Sequence, residues 1–131
     1  MVIDTSVFVA ILLKEPDAAA FKRTVLSAPL RLAGAVSKLE SSMVIIGRFG
    51  ATGLGSLDRL LAELNVTIVP FDEHQADIAR AAFARYGKGR HPAELNFGDC
   101  AAYALAMAEA EPLLFKGTDF GATDVEAARA I

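Results

Sequence analysis

Four short apolar runs recur along the chain, Met1–Asp4, Leu30–Ala33, Val66–Pro70 and Pro112–Phe115, with helically patterned stretches between them. This alternation predicts an α/β domain with a mainly parallel sheet, because parallel neighbours need crossover connections long enough to be helices. A chain of 131 residues fits one domain, residues 1–131, that buries roughly two-thirds of its unfolded surface. With 53% hydrophobic and 22% charged side chains, disorder is excluded. One cysteine, Cys100, excludes an internal disulfide and fits a reducing, cytoplasmic setting. No basic leader precedes the first apolar run, and no run approaches the ~20 residues that span a bilayer, so a soluble protein is expected. Mean hydropathy is +0.38. That is high enough to predict a surface buried beyond the core, in a homodimer or against a tight partner.

Local signals predict the elements. Thr5 or Ser6 caps a buried helix through Val7–Leu13, and Pro16 starts a second that reaches about Leu26. Ser37-Lys38-Leu39-Glu40 has the form of a capping box, followed by Leu39, Met43 and Ile46 at helical spacing. Gly47, Gly50, Gly53 and Gly55 predict a flexible linker before a helix marked by Leu54, Leu57, Leu61 and Leu64. Glu73–Tyr86 reads as an amphipathic helix with Ile78, Ala82 and Phe83 inward, ending at a left-handed Gly87 cap. Asn96 caps a buried helix from Phe97 to about Ala110. Thr123–Val125 is a candidate fifth strand, giving a four- or five-stranded sheet.

Four acids fall at comparable places. Asp4 ends the first strand, Glu40 and Asp99 open helices, and Asp119 follows the fourth strand. In an open parallel sheet, strand carboxyl ends and the amino ends of the following helices share one edge, so acids scattered in sequence can converge there. Each also has an ordinary role, as a helix cap, a partner for a helix dipole or a turn residue. Joint placement favours the site. Two carboxylates about 4 Å apart repel by roughly 4 kcal/mol at an effective dielectric of 20, so such a cluster must hold protons or cations. Oxygen-only ligands select Mg²⁺ or Mn²⁺, which points to metal-assisted phosphodiester hydrolysis.

Other chemistries lack their parts. Cys100 lies in a buried helix, and His74 and His91 sit in contexts expected to face solvent, so neither a Cys/His pair nor a triad can be assembled. Zinc-binding, P-loop and dinucleotide signatures are absent.

The segments Met1-Val2-Ile3-Asp4-Thr5-Ser6, Asn96 to Ala106 around Asp99, and Leu113 to Phe120 followed by Thr123-Asp124-Val125 together resemble the PIN-domain ribonucleases, specifically the VapC-type toxins of toxin–antitoxin pairs. The resemblance implies a three-layer α/β/α fold. By position it makes Asp4, Glu40 and Asp99 core metal ligands, with Asp119 completing the set and Ser6 orienting a ligand. It departs at Thr118, where many relatives carry an acid or amide, which bears on a second metal site. A homodimer, a VapB-type antitoxin whose C-terminal segment crosses the acidic site, and cleavage of single-stranded RNA are also implied.

For RNA contact the candidates are Arg85, Lys88, Arg90 and His91, a basic cluster on an otherwise acidic chain. Lys116 is expected to pair with the acidic cluster, with phosphate contact as its other role. Thirteen basic against sixteen acidic residues give a net charge of −3; setting the four site acids aside leaves thirteen against twelve, or +1. A bound cation would offset the site's charge where phosphate approaches. Two other readings stand beside the nuclease. One is a catalytically weak PIN-like module that binds RNA or a partner. The other is a receiver-like phosphoacceptor using Asp72 and Lys116, which would leave Glu40 and Asp99 without a role. A haloacid-dehalogenase-like phosphatase would need an acid where Ser6 stands.

Overall fold

The structure is a computed structural model that describes residues 1–129. Strands β1 (Val2–Ile3), β2 (Leu32–Gly34), β3 (Thr67–Val69) and β4 (Leu113–Leu114) form one sheet in the order β3-β2-β1-β4, and every pairing is parallel. Val2 lies opposite both Leu32 and Leu113, and Ile3 opposite Leu114. Helices α1 (Thr5–Leu12), α2 (Ala18–Ser27), α3 (Ala35–Phe49), α4 (Leu54–Glu63), α5 (Glu73–Tyr86) and α6 (Phe97–Glu109) fill the crossovers.

Strand residues alternate between faces, and this divides the core in two. Val2, Leu32 and Leu113 pack with Ala82 and Tyr86 of α5 and Ala102, Leu105 and Ala106 of α6. Ile3, Ala33 and Leu114 pack with Phe8 and Ile11 of α1, Phe21 and Val25 of α2, and Leu57, Leu60 and Leu61 of α4. The result is the expected three-layer α/β/α sandwich. Its central strand is buried on both faces, as a parallel sheet requires. No helix among the described residues is long and apolar enough to cross a membrane.

Several local expectations are corrected. Helix α1 starts two residues early, at Thr5, because Asp4 caps it through the Ser6 amide. Helix α3 starts at Ala35 after Gly34, so Ser37 and Glu40 lie inside it and form no capping box. Its buried stripe is Ser37, Ser41 and Ile45, while Leu39, Met43 and Ile46 are 62%, 63% and 43% exposed. Gly47 is helical, and Ala51–Gly53 form a 3-10 turn in place of a flexible linker. Gly87 ends α5 at φ −68°, outside the left-handed region. A β-carbon there would collide with the Phe83 carbonyl and ring, so close packing is what demands glycine. Phe83 itself is 42% exposed. No strand forms at Thr123–Val125; just beyond it, Ala127 makes an isolated parallel bridge to Leu113.

Candidate active site

The strand order places a topological switch point beside β1, since the chain runs outward through β2 and β3 and returns as β4 on the other side. Ligand sites in open parallel sheets lie outside the carboxyl ends of strands at such a point. Asp4 leaves β1 there, and the segment Lys116–Asp119 leaves β4.

Asp4 is 5% exposed. The Ser6 amide and hydroxyl donate to its Oδ2 at 3.1 and 2.6 Å, and the Lys116 amide donates to the same Ser6 hydroxyl at 2.9 Å. Ser6 therefore ties the end of β4 to the carboxylate after β1. Burial holds the Asp4 carboxyl above its ordinary range despite the Ser6 hydrogen bonds, and the charge of Glu40 adds to that effect.

Asp99 lies in the first turn of α6. Its amide donates to Asn96 Oδ1 at 2.9 Å, and the Asn96 amide donates to Asp99 Oδ2 at 3.1 Å. This is a reciprocal capping box. It fixes the carboxylate on the site edge while leaving Oδ1 outside that exchange. The Asp99 carboxyl is pushed up to about 6, first by burial and then by the charges of Asp4, Asp119 and Glu40. Asp99 is thus within electrostatic reach of the other three predicted acids, and Asp4 within reach of Glu40.

Glu40 comes from the second turn of α3 and lies against Gly98 of α6. A β-carbon on Gly98 would collide with all three atoms of the Glu40 carboxyl group. Asp119 is exposed and begins a short 3-10 turn, Asp119–Ala122, anchored by buried Phe120 against Phe115. Thr118 precedes it, also exposed, and makes no capping hydrogen bond. Among the described residues, no three His, Cys, Asp or Glu side chains are grouped tightly enough to hold an ion as they stand.

The remaining predicted residues divide. Lys88 and Arg90 are exposed on a loop closed at its base by the Lys88 amide on the Leu95 carbonyl and the Leu95 amide on the Tyr86 carbonyl, each at 3.0 Å. His91 is half-buried, contrary to the expectation that it faces solvent. Its Nδ1 accepts from the Ala93 amide at 3.1 Å, and its ring meets the Tyr86 ring edge-on. Arg85 lies 3.8 Å from Asp124 and over the Tyr86 ring. Lys116 does not pair with the four site acids; its ammonium pairs with Glu15 and Asp17 between α1 and α2. Cys100 is 5% exposed, and its thiol is pushed up to about 11 by burial and by Asp99, which removes it from nucleophilic chemistry at neutral pH.

The chain-wide pattern matches a known family. A profile of the PIN domain matches residues 1–126, and Ribonuclease VapC of Mycolicibacterium smegmatis is 52% identical over 127 residues, covering 97% of this chain and 98% of that protein. The chain belongs to the VapC family of PIN domains. Two solved structures share its fold. VapC20 of Mycobacterium tuberculosis, described as a toxin that cleaves the sarcin-ricin loop, superposes with a TM-score of 0.79 at 17% identity, covering 98% of both chains. VapBC2 of Rickettsia felis, bound to a DNA fragment from its promoter, superposes at 0.74 with 15% identity, covering 96% of this chain and 95% of that one.

In this PIN domain the receiver reading has no support: Asp72 caps α5 through the Gln75 amide and follows β3, which is an edge strand. Three features of the site escaped sequence reasoning. The Asn96-x-x-Asp99 spacing was the available signal for the reciprocal box, Gly98 in a first turn was a weak signal for close approach, and nothing local announced that Tyr103 meets Asp124.

Proposed function

We propose that this VapC-family PIN domain is a metal-dependent endoribonuclease toxin that cleaves single-stranded regions of RNA. The observation that carries the reading is the approach, at the switch-point edge of the sheet, of carboxylates from four separate elements, with Asp4 buried and the Asp99 carboxyl raised first by its burial and then by the charges of the other three.

The donor set fits a hard divalent cation, Mg²⁺ or Mn²⁺. It is all oxygen, it is too acidic to be stable fully ionised without a counter-charge, and Gly98 leaves room for the Glu40 carboxylate. The chemistry such an ion supplies when bound is the acidification of water and the neutralisation of charge on the leaving oxygen of a phosphodiester. Asp4, Glu40, Asp99 and Asp119 would hold it. Ser6 fixes one oxygen of Asp4, and the Asn96 cap fixes one oxygen of Asp99. Lys88 and Arg90 are exposed candidates to meet RNA phosphates.

The Asp99→Asn variant tests this directly. Asparagine keeps an acceptor oxygen for the Asn96 amide, so the fold should be retained, with a thermal midpoint no lower than that of the wild type, while Mg²⁺-dependent cleavage of single-stranded RNA is lost. Cleavage at the wild-type rate by a nuclease-free preparation of that variant refutes the assignment.

The apolar surface supports protein partners. Leu39 and Met43 on α3 are exposed, and Phe97 at the head of α6 is 78% exposed between two apolar grooves. One groove, of about 420 Å³, is lined by Val36, Leu39, Glu40, Met43, Val44 and Phe97. The other, of about 460 Å³, runs along α5 and includes Phe71, Phe83 and Cys100. Exposed aromatic and aliphatic groups beside an acidic site fit a homodimer and a VapB-type antitoxin, in a cytoplasmic protein that works as one domain.

A further inference from the structure

Asp99 in the first turn of α6 and Asp119 in the segment that follows β4 lie close enough for their charges to interact. One turn further along α6, Tyr103 crosses to the same segment. Its hydroxyl donates to Asp124 Oδ1 at 2.6 Å, and the Arg85 guanidinium lies 3.8 Å from Oδ2 of the same carboxylate. Residues four apart on a helix share a face, about 6 Å along the axis. Two rungs therefore join the same two elements, the repulsive Asp99–Asp119 pair and the attractive Tyr103–Asp124 pair.

We infer that Tyr103 is a positioning residue: its hydrogen bond to Asp124 clamps the closing segment onto α6 and so positions Asp119 at the acidic site. The partners suit a permanent contact. Tyr103 is 6% exposed, and its ring is fixed in the core beside Tyr86. Asp124 is kept ionised by that hydroxyl, which holds its carboxyl below the ordinary range. A hydrogen bond to a charged acceptor is among the stronger polar contacts a fold contains. Arg85, resting on the Tyr86 ring, extends the clamp to the end of α5. That gives Arg85 a structural place in the site in addition to its charge.

The test combines residue-level amide exchange with Mn²⁺ affinity measured by calorimetry on the full chain. The Gly121 and Thr123 amides donate to the Thr118 and Phe120 carbonyls and report on the clamped segment. Tyr103→Phe keeps the ring and should speed exchange at these two amides about tenfold, leave amides in the middle of α6 unchanged, and weaken Mn²⁺ binding about tenfold. Asp124→Ala removes the acceptor from the half-exposed side and should do the same. Asp124→Asn keeps an acceptor oxygen and should stay within about threefold of wild type. Exchange that rises uniformly through the molecule, or Mn²⁺ affinity unchanged in both Tyr103→Phe and Asp124→Ala, overturns the proposal. The cation measurement rests on the metal-dependent reading, whereas the exchange does not. If the wild-type protein binds no Mn²⁺, that reading fails and the local exchange alone decides the clamp.

Discussion

Ser6 holds Asp4 from two sides, through its amide and its hydroxyl, and it does so while accepting the Lys116 amide. One side chain thus couples two strand ends, a role that a count of acids does not reveal. Gly98 works by absence. Its missing β-carbon is the space the Glu40 carboxyl group occupies, and because that carboxyl is the far end of a flexible chain, Gly98→Ala should push it aside without disturbing the backbone. The expected result is a folding free energy within about 0.5 kcal/mol of wild type by urea denaturation, with Mg²⁺-dependent RNA cleavage reduced at least about tenfold. A large loss of stability would make Gly98 a packing requirement instead. Gly87 presents the opposite case, since its neighbour is the Phe83 carbonyl, which cannot move away. Gly87→Ala should cost about 1–3 kcal/mol in the same measurement, as overpacking does.

At the scale of elements, α3 carries the clearest lesson. Its sequence has an apolar stripe of Leu39, Met43 and Ile46, which ordinarily marks the face toward the core. The fold turns that stripe outward and buries Ser37 and Ser41, whose small side chains let α3 lie close against α1. A helix arranged this way has its larger apolar face available to a partner. Replacing Leu39 and Met43 together by glutamine should leave monomer stability within about 1 kcal/mol, since glutamine is a good helix former. On the proposed homodimer reading, sedimentation at micromolar concentration should show dimer for the wild-type protein and monomer for this variant. Helix α5 keeps its predicted bounds, Glu73–Tyr86, because Asp72 and Gly87 punctuate it locally, even though Gly87 is not left-handed and Phe83 is half-exposed. Helix α3 does not, because Gly34 caps it without a side chain and Ser37 then imitates a start signal inside it.

Across the whole molecule, clustering acids makes folding and cation binding interdependent. Below about pH 4, Asp99 is protonated in both folded and unfolded chains and has little influence on stability. Between its ordinary value of 3.8 and about 6 the unfolded chain has released the proton while the folded one keeps it, so raising the pH favours unfolding. Above about 6 the ionised group is repelled by its neighbours, and the full penalty is present. Buried Asp4, raised in the same direction, adds to the trend. The metal-free protein should therefore lose thermal stability as pH rises from 4 to 7, apart from changes that other carboxylates contribute. Millimolar Mn²⁺ should restore it at pH 7, and Asp99→Asn should flatten the profile. Differential scanning at several pH values, with and without the cation, checks both the slope and its rescue.

The alternation of apolar runs and helical stretches determined the layers of this protein, and the positions of four acids pointed to the edge where the proposed chemistry lies. Both are local properties, written in periodicity and in the residues that start and stop elements. Tertiary structure alone decided the rest: the outward turn of α3, the close approach of Glu40 to Gly98, the pairing of Lys116 with Glu15 and Asp17, and the contact between Tyr103 and Asp124. Each of these depends on where two distant segments pack. Side-chain burial and electrostatic coupling exist only once those segments are in place, so no pattern within either segment can announce them.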